Sequence, residues 1–347
     1  MKRDTTCMAF ALPFHRRPRR HRTGRNAANA AVFGMATAMA CATAVAAELS
    51  YPTRPVRLLV GFPPGGSTDA LARIITPKLG ESMGQTWVVD NRGGAGGNVA
   101  AEMAARANPD GHTVFLALNT QLTASPSLYK LPFDVEKDLQ PVTILATHEH
   151  IVLVHPTMPV KSLKELIALA RQKPGTIDYA SSGIGGSLHL AAELLKRRAG
   201  FDITHVAFKG AGPAIAAVLG GEPPMMVGAV PSTVGHVASG KLRALATTGP
   251  KRHTVTPDLP TVAELGFPGF ENVAWLGLFL PARTPAPIRD RVRSEAIKAL
   301  QAPEVRATMA KLGLDQETST PAELAARMKA EIAQLAAIIK AAGIKGE

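Results

Sequence analysis

Ser67, Thr68 and Asp69 follow the glycine pair Gly65-Gly66 in the run "VGFPPGGSTDALARII". An apolar segment precedes the glycines and an amphipathic pattern follows them, so the run predicts a strand, a tight turn and the start of a helix. The first N–H groups of a helix have no intrahelical partner and sit at the positive end of its dipole. Such a turn therefore favours an anion. The same order returns 120 residues further on, in "SSGIGGSLHLAAELL", where Gly185, Gly186, Ser187, Leu188 and His189 take the places of Gly65 to Asp69. Two such turns predict two lobes that present two helix N-termini to one anion across a cleft. Ligands of open α/β sheets bind beyond the carboxyl ends of the strands, where these turns lie.

Other chemistries find less support. No lysine follows the glycines of either turn, as a P-loop requires, and "GGAGGNV" and "GIGGSL" both lack the last glycine of the dinucleotide fingerprint. No G-x-S-x-G elbow occurs. Ser67 and Ser187 stand at helix starts, where a serine caps the helix or holds a ligand oxygen. Ser187 with His189 leaves one catalytic alternative, an exported hydrolase. Asp69, in the position matching His189, suits the helix dipole. His148 and His150 share one face of a predicted strand, but His155 falls on the other face and no third ligand is near. No metal and no cofactor are expected.

Charge and cysteine usage set the compartment. The formal charge is +12, yet the first 47 residues hold eight Lys or Arg against one acid, Asp4. That stretch reads as a basic n-region, an Ala-rich apolar run and a small-residue cleavage site at Ala44-Val45-Ala46. Residues 1–47 are thus a predicted signal peptide, cleaved on export to the periplasm. The apolar run is shorter than the roughly 20 residues of a membrane span. Both cysteines, Cys7 and Cys41, lie in this leader, so the mature chain has no thiol for a disulfide, a nucleophile or a metal. No basic stripe with interleaved aromatics follows, which argues against nucleic acid. The hydrophobic content of 46% suits two packed domains and not a disordered chain.

The elements that must position these turns alternate. "RPVRLLVGF", "TWVVDNR" and "HTVFLALNT" predict strands, with helices over "STDALARIITPKLGESMG" and after "GGAGG". This is an α/β pattern with a largely parallel sheet. "PVTILATHEHIVLVHP" holds one or two strands, Ser162 caps a helix, and "TIDYASS" is a strand leading to the helix at Ser187. "GKLRALATTG" predicts a strand leaving the second lobe, and "PTVAELG" a short helix capped by Thr261. Three amphipathic helices then close the chain and return to the first lobe. Two chain crossings form a hinge.

Five blocks, "YPTRPVRLLVGFPPGGSTDALAR", "VVDNRGGAGGNVAAEMAARANPDGHT", "HVAFKGAGPAIAAVLGGE", "GKLRALATTGPKR" and "PDLPTVAELGFPGFE", occur in order along the chain. Together they resemble the substrate-binding proteins of tripartite tricarboxylate transporters, also called Bug receptors. The resemblance implies a type II periplasmic binding protein with two α/β lobes around a ligand cleft and a two-crossing hinge. The first lobe is then expected at 48–150 and 249–347, and the second at 151–248. It further implies a monomeric receptor that captures a small organic carboxylate and delivers it to a two-subunit permease or a sensor, without catalysis. The first-lobe anion loop matches Phe62 through Asp69, including Gly65, Gly66, Ser67 and Thr68. The second-lobe loop matches Ser181 through His189, including Ser182, Gly186 and Ser187. Candidates for reading the distal ligand end are Asn119 and Thr120, and Lys209 lies in a family block. After "LGGE" the family places an apolar residue and an aspartate, whereas this chain has Pro223 and Pro224. The missing acid predicts a later strand and a cleft wall unsuited to a ligand amine.

Overall fold

The computed structural model describes residues 51–346; the predicted leader and its cleavage site lie outside them. Three strands and the helices that follow them build the first half of the molecule's sheet. Strand β1 (Val56–Val60) leads into helix α1 (Ser67–Met83), β2 (Trp87–Asn91) into α2 (Asn98–Ala105), and β3 (Thr113–Leu118) into the short helices α3 (Asn119–Thr123) and α4 (Ser125–Leu128). β1 pairs in parallel with β2 on one side and β3 on the other. Parallel strands need helical crossovers, and these helices cover both faces of the sheet, which is why β1 reads as a nearly unbroken apolar run.

The second half repeats the arrangement. After β4 (Leu139–Val154) come α5 (Leu163–Gln172), β5 (Asp178–Ser181), α6 (Ser187–Ala199), β6 (Thr204–Ala207), α7 (Ala211–Leu219), β7 (Met225–Ala229), α8 (Val230–Ala238) and β8 (Arg243–Thr247). β5 pairs in parallel with β6 and β7. Ser162 caps α5 as expected, its Oγ accepting from the Glu165 N–H at 3.2 Å. β7 starts only at Met225, after Pro223-Pro224. The chain then returns through β9 (Val273–Pro281), α9 (Ala286–Gln301), α10 (Pro303–Leu312), β10 (Asp315–Gln316) and α11 (Pro321–Ala342). The order across the whole sheet is β2-β1-β3-β9-β4-β7-β5-β6.

Strand β4 joins the halves. It is one strand of 16 residues, about 50 Å at about 3.3 Å per residue. Leu139 to Glu149 pair with β9, and His150 to Val154 pair with β7, all antiparallel. Two lobes result. In the first, α1, α9 and α10 pack on one sheet face and α2 and α11 on the other. In the second, α5 and α6 cover one face and α7 and α8 the other. Val262 and Phe270 pack in the second-lobe core. The segment expected to open the returning lobe at 249 therefore belongs to the second lobe's packing, and the chain crosses back at β9. The helix expected over "PTVAELG" is a turn instead. Thr261 Oγ1 accepts from the Glu264 N–H at 3.0 Å, but Gly266, at φ 106°, ends the structure before a helix is established.

At the crossing, β4 buries His148, Glu149 and His150. The two imidazoles meet edge to face, 5.3 Å apart. Burial lowers the pKa of both, His148 to about 4 and His150 to about 3. Among the described residues no group of three His, Cys, Asp or Glu side chains could hold a metal ion. Because the folded values lie below the unfolded one, the stability these rings contribute is complete above pH 6.5 and is lost as pH falls through the folded values. The melting temperature should therefore drop between pH 6.5 and 4, and less so in a His148→Gln/His150→Gln variant. Equal slopes for the two proteins would show that these rings do not set the acid limit.

Candidate functional site

The first-lobe turn leaves β1 through Gly61 and Phe62. A Cβ on Gly61 would lie 1.9 Å from Nε2 of Gln121 and 3.0 Å from the Gly97 carbonyl oxygen, so a larger residue there would have to displace the Gln121 amide. At its far end Gly65 takes φ 95° and its N–H donates to Asp69 Oδ2 at 3.2 Å. Asp69 also accepts from Asn91 Nδ2 and from Arg73 Nε, each at 3.1 Å. Burial alone would raise its pKa, but the bonds from Arg73, the Gly65 amide and Asn91 outweigh burial and hold it below the usual carboxylate value. Asp69 is thus spent on holding its own loop and lies against the protein, 5% exposed.

The second-lobe turn is built the same way. Gly185, at φ 72°, donates its N–H to Nδ1 of His189 at 3.0 Å. The His189 ring stacks on His205, 3.9 Å between centroids and 9° from parallel. His205 Nε2 lies 2.6 Å from Ser181 Oγ, which accepts from the Gly183 N–H at 3.1 Å. Burial, with the neighbouring His205 next, lowers the pKa of His189 to about 4. The bond from Gly185 makes Nδ1 the acceptor, so the ring proton sits on Nε2. The expected capping serines do not cap. Gly66 and Gly186 hold the N-cap positions with no side-chain bond, and Ser67 and Ser187 are the first helical residues. The leading N–H groups of α1 and α6 therefore have no side-chain cap.

The lobes touch across the cleft. Gly212 lies so close to the first lobe that a Cβ there would be 2.7 Å from the Pro64 carbonyl oxygen. Gly210 faces Pro63 and Gly65 faces Gly212. On another side of the cleft, Tyr129 Oη donates to the Ile184 carbonyl at 3.1 Å. Between these contacts lies a cavity of about 610 Å³ lined by Phe62, Pro63, Ser182, Phe208, Lys209 and the glycine-rich segment 93–97. Among the described residues no aspartate or glutamate lines it, and Lys209 is the one charged side chain in its wall.

The structure divides the sequence candidates. Phe62, Ser182 and Lys209 line this cavity. Asn119, Thr120 and Ser187 line a second one, of about 420 Å³, with His150, Arg327, Glu271 and Glu331. Gly65 and Gly66 meet α7 of the opposite lobe. Thr68 is buried in the first turn of α1. The ring of His189 and the carboxylate of Asp69 turn back on their loops. A Cβ on Gly186 would be 2.8 Å from Ser182 Oγ, so this glycine lets the loop fold on itself. Sequence reasoning missed Gly93 to Gly97, Tyr129 and Phe208 as cavity residues. The glycines carried a signal: Gly94, Gly96 and Gly97 all take positive φ and lay bare the backbone. Tyr129 had none, since its role depends on a contact 55 residues away.

Known proteins resemble this one closely. The model of the tripartite tricarboxylate transporter family receptor matches residues 71–344. The solved structure of the periplasmic binding protein BugD is 32% identical, covering 86% of this chain and 100% of that one, with a TM-score of 0.82. Rpa4515 of R. palustris, solved with adipate, is 33% identical over 86% of this chain and 100% of its own, with a TM-score of 0.82. MatC of Rhodopseudomonas palustris, with bound malate, is 33% identical over 83% and 100%, with a TM-score of 0.79.

The contact between Gly212 and Pro64 is a direct test of closure. Gly212→Ala should hold the lobes apart, since backbone cannot yield as a flexible side chain would. Small-angle scattering should show a larger radius of gyration than the parent, with the circular dichroism unchanged. Equal radii would mean that the lobes do not meet there in solution.

Proposed function

The chain belongs to the tripartite tricarboxylate transporter receptors, and on that premise we propose that it captures a small organic carboxylate in the cavity between Phe62, the 93–97 segment, Ser182 and Lys209. The lining of that cavity carries the reading: exposed backbone, one lysine and no acid. A carboxylate entering it exchanges water for N–H and hydroxyl donors and meets no like charge. The second cavity sets Glu271 and Glu331 against one cation, Arg327, which already pairs with Glu331 at 3.3 Å, so its charge suits an anion less well. Relatives with bound adipate and malate support the ligand class. Capture is non-covalent, with closure of the lobes supplying the contacts that the open form lacks.

The likeness to BugD supports export to the periplasm by way of the leader at 1–47. The closed form is then the form a permease or a sensor would recognise. The hydrolase alternative gains nothing from the relatives, and the geometry disfavours it. His189 has its Nδ1 engaged by Gly185, and its other face is stacked on His205. The residues Pro223-Pro224 stand where the family has an aspartate, so the protein favours simple acids over amino acids.

Adipate, malate and succinate should raise the melting temperature, because a ligand that binds only the folded state stabilises it. Their diamides should do much less. Lys209→Met should weaken binding of the best acid by about tenfold, the scale of one hydrogen bond to a charged group. No product should form on incubation. A response to diamides or amino acids alone, with none to acids, would defeat the carboxylate assignment.

A further inference from the structure

The two anion loops are held by the same bond made with different chemistry. In each, the N–H of the first glycine of the pair donates to the side chain four residues later, on the third residue of the following helix. In the first lobe the acceptor is a carboxylate, Asp69. In the second it is an imidazole, His189. Neither side chain lines either cavity.

A carboxylate and an imidazole respond oppositely to acid. Asp69 gains acceptor strength when ionised, and Arg73 and Asn91 keep it so. Neutral His189 has one lone pair, on Nδ1, and Gly185 uses it. A proton added there converts the acceptor into a donor and sets two N–H groups against each other. The groups facing His189 are His205 from β6, Tyr179 from β5, and Glu193 and Lys196 from its own helix. Glu193 Oε1 stands 4.0 Å from Nε2 and is tied up by Tyr179 Oη at 2.7 Å and Lys196 Nζ at 3.0 Å. Its pull toward the charged ring is thus shared out, and burial keeps the ring neutral down to about pH 4. Ser181, on the other side of His205, ties the same stack to the Gly183 N–H.

We propose that His189 is a positioning residue for the second-lobe loop: its neutral Nδ1 holds the Gly185 N–H as the Asp69 carboxylate holds the Gly65 N–H, so that acid unlatches the second loop and leaves the first in place. The proposal rests on the reading of these loops as the anion site only where it speaks of affinity. The latch itself is independent of any ligand.

The test uses the full mature chain labelled with ¹⁵N-glycine. The Gly185 amide should shift and lose exchange protection along the titration of the His189 ring, while Gly65 stays unchanged over the same range. His189→Asn, which keeps a neutral acceptor, should abolish the Gly185 transition. His189→Leu should leave Gly185 unprotected at every pH, with circular dichroism and a native Gly65 resonance showing that the fold survives. Should the Leu variant not fold, the Asn variant decides the matter. A Gly185 amide that ignores the ring titration overturns the proposal, as does a Gly185 titration in His189→Asn that matches the parent. For affinity the probe is adipate, read as the ratio of parent to His189→Asn so that protonation of adipate itself cancels. The ratio should fall about twofold between pH 6.5 and 4, because half of the His189 rings carry the extra proton when the pH reaches their pKa. A constant ratio overturns the link to affinity. Failure of adipate and malate to bind at all, with Gly185 titrating as described, leaves the latch standing and sinks the carboxylate reading.

Discussion

An anion in a cavity whose described lining carries one lysine and no acid would meet mostly backbone, so the shape of the loops that frame the cavity sets what it can hold. The whole arrangement answers that constraint. A parallel strand ends, a glycine turn reverses the chain, and a helix starts with its first N–H groups uncapped. Glycine gives the turn its shape at the cost of making it flexible. The bond from Gly65 to Asp69, and that from Gly185 to His189, restore the stiffness from behind. Neither uses the groups that face the cleft. Asp69 and His189, the side chains that look most like ligand contacts in the sequence, are therefore spent on holding their own loops.

The same economy governs the contact between the lobes. Where Pro63 and Pro64 approach Gly210 and Gly212, a side chain larger than hydrogen would strike backbone or a proline ring. Proline fixes one wall and glycine removes the obstacle from the other. The fit is set by main chain on both sides, so it tolerates little repacking.

Much of the fold was legible because it rests on local patterns. The strand–turn–helix runs at Val56 to Met83 and Asp178 to Ala199 appear where apolar periodicity places them, and the glycine pairs mark their turns. The site was only half legible. Phe62, Ser182 and Lys209 reach the cavity, but Asn119, Thr120 and Ser187 line another. Which cavity a residue at a strand end reaches depends on how the lobes close, and no local pattern encodes that. The repeat did encode the latch. Asp69 and His189 stand in matching places because each must reach back to the same glycine, a role that a search for ligand-contacting residues overlooks. The turn at Thr261 misled for a simpler reason: a cap signal starts a helix only if the chain behind it is free to continue, and Gly266 stops it within one turn.

The hinge carries its own constraint. β4 runs through both lobes without a break, so no flexible loop separates them at this crossing. Its irregularities lie on either side of the buried centre. The pairing with β9 slips between Pro141 and Thr143 and between Ile144 and Ala146, and that with β8 slips between Val152 and Leu153. Bulges increase local twist and relax the ladder. Between them the strand is pinned. The Glu149 carboxylate accepts from the Thr247 hydroxyl, and a Cβ on Gly249 would overlap that carboxylate. The His150 N–H donates to Thr248 Oγ1 at 2.9 Å, and Thr248 Oγ1 donates to the Asn272 carbonyl at 2.7 Å. The outgoing and returning chains are thus clamped together at the crossing. The ladder is imperfect in the bulged stretches to either side, so any bending of this crossing would fall there and leave the clamp intact.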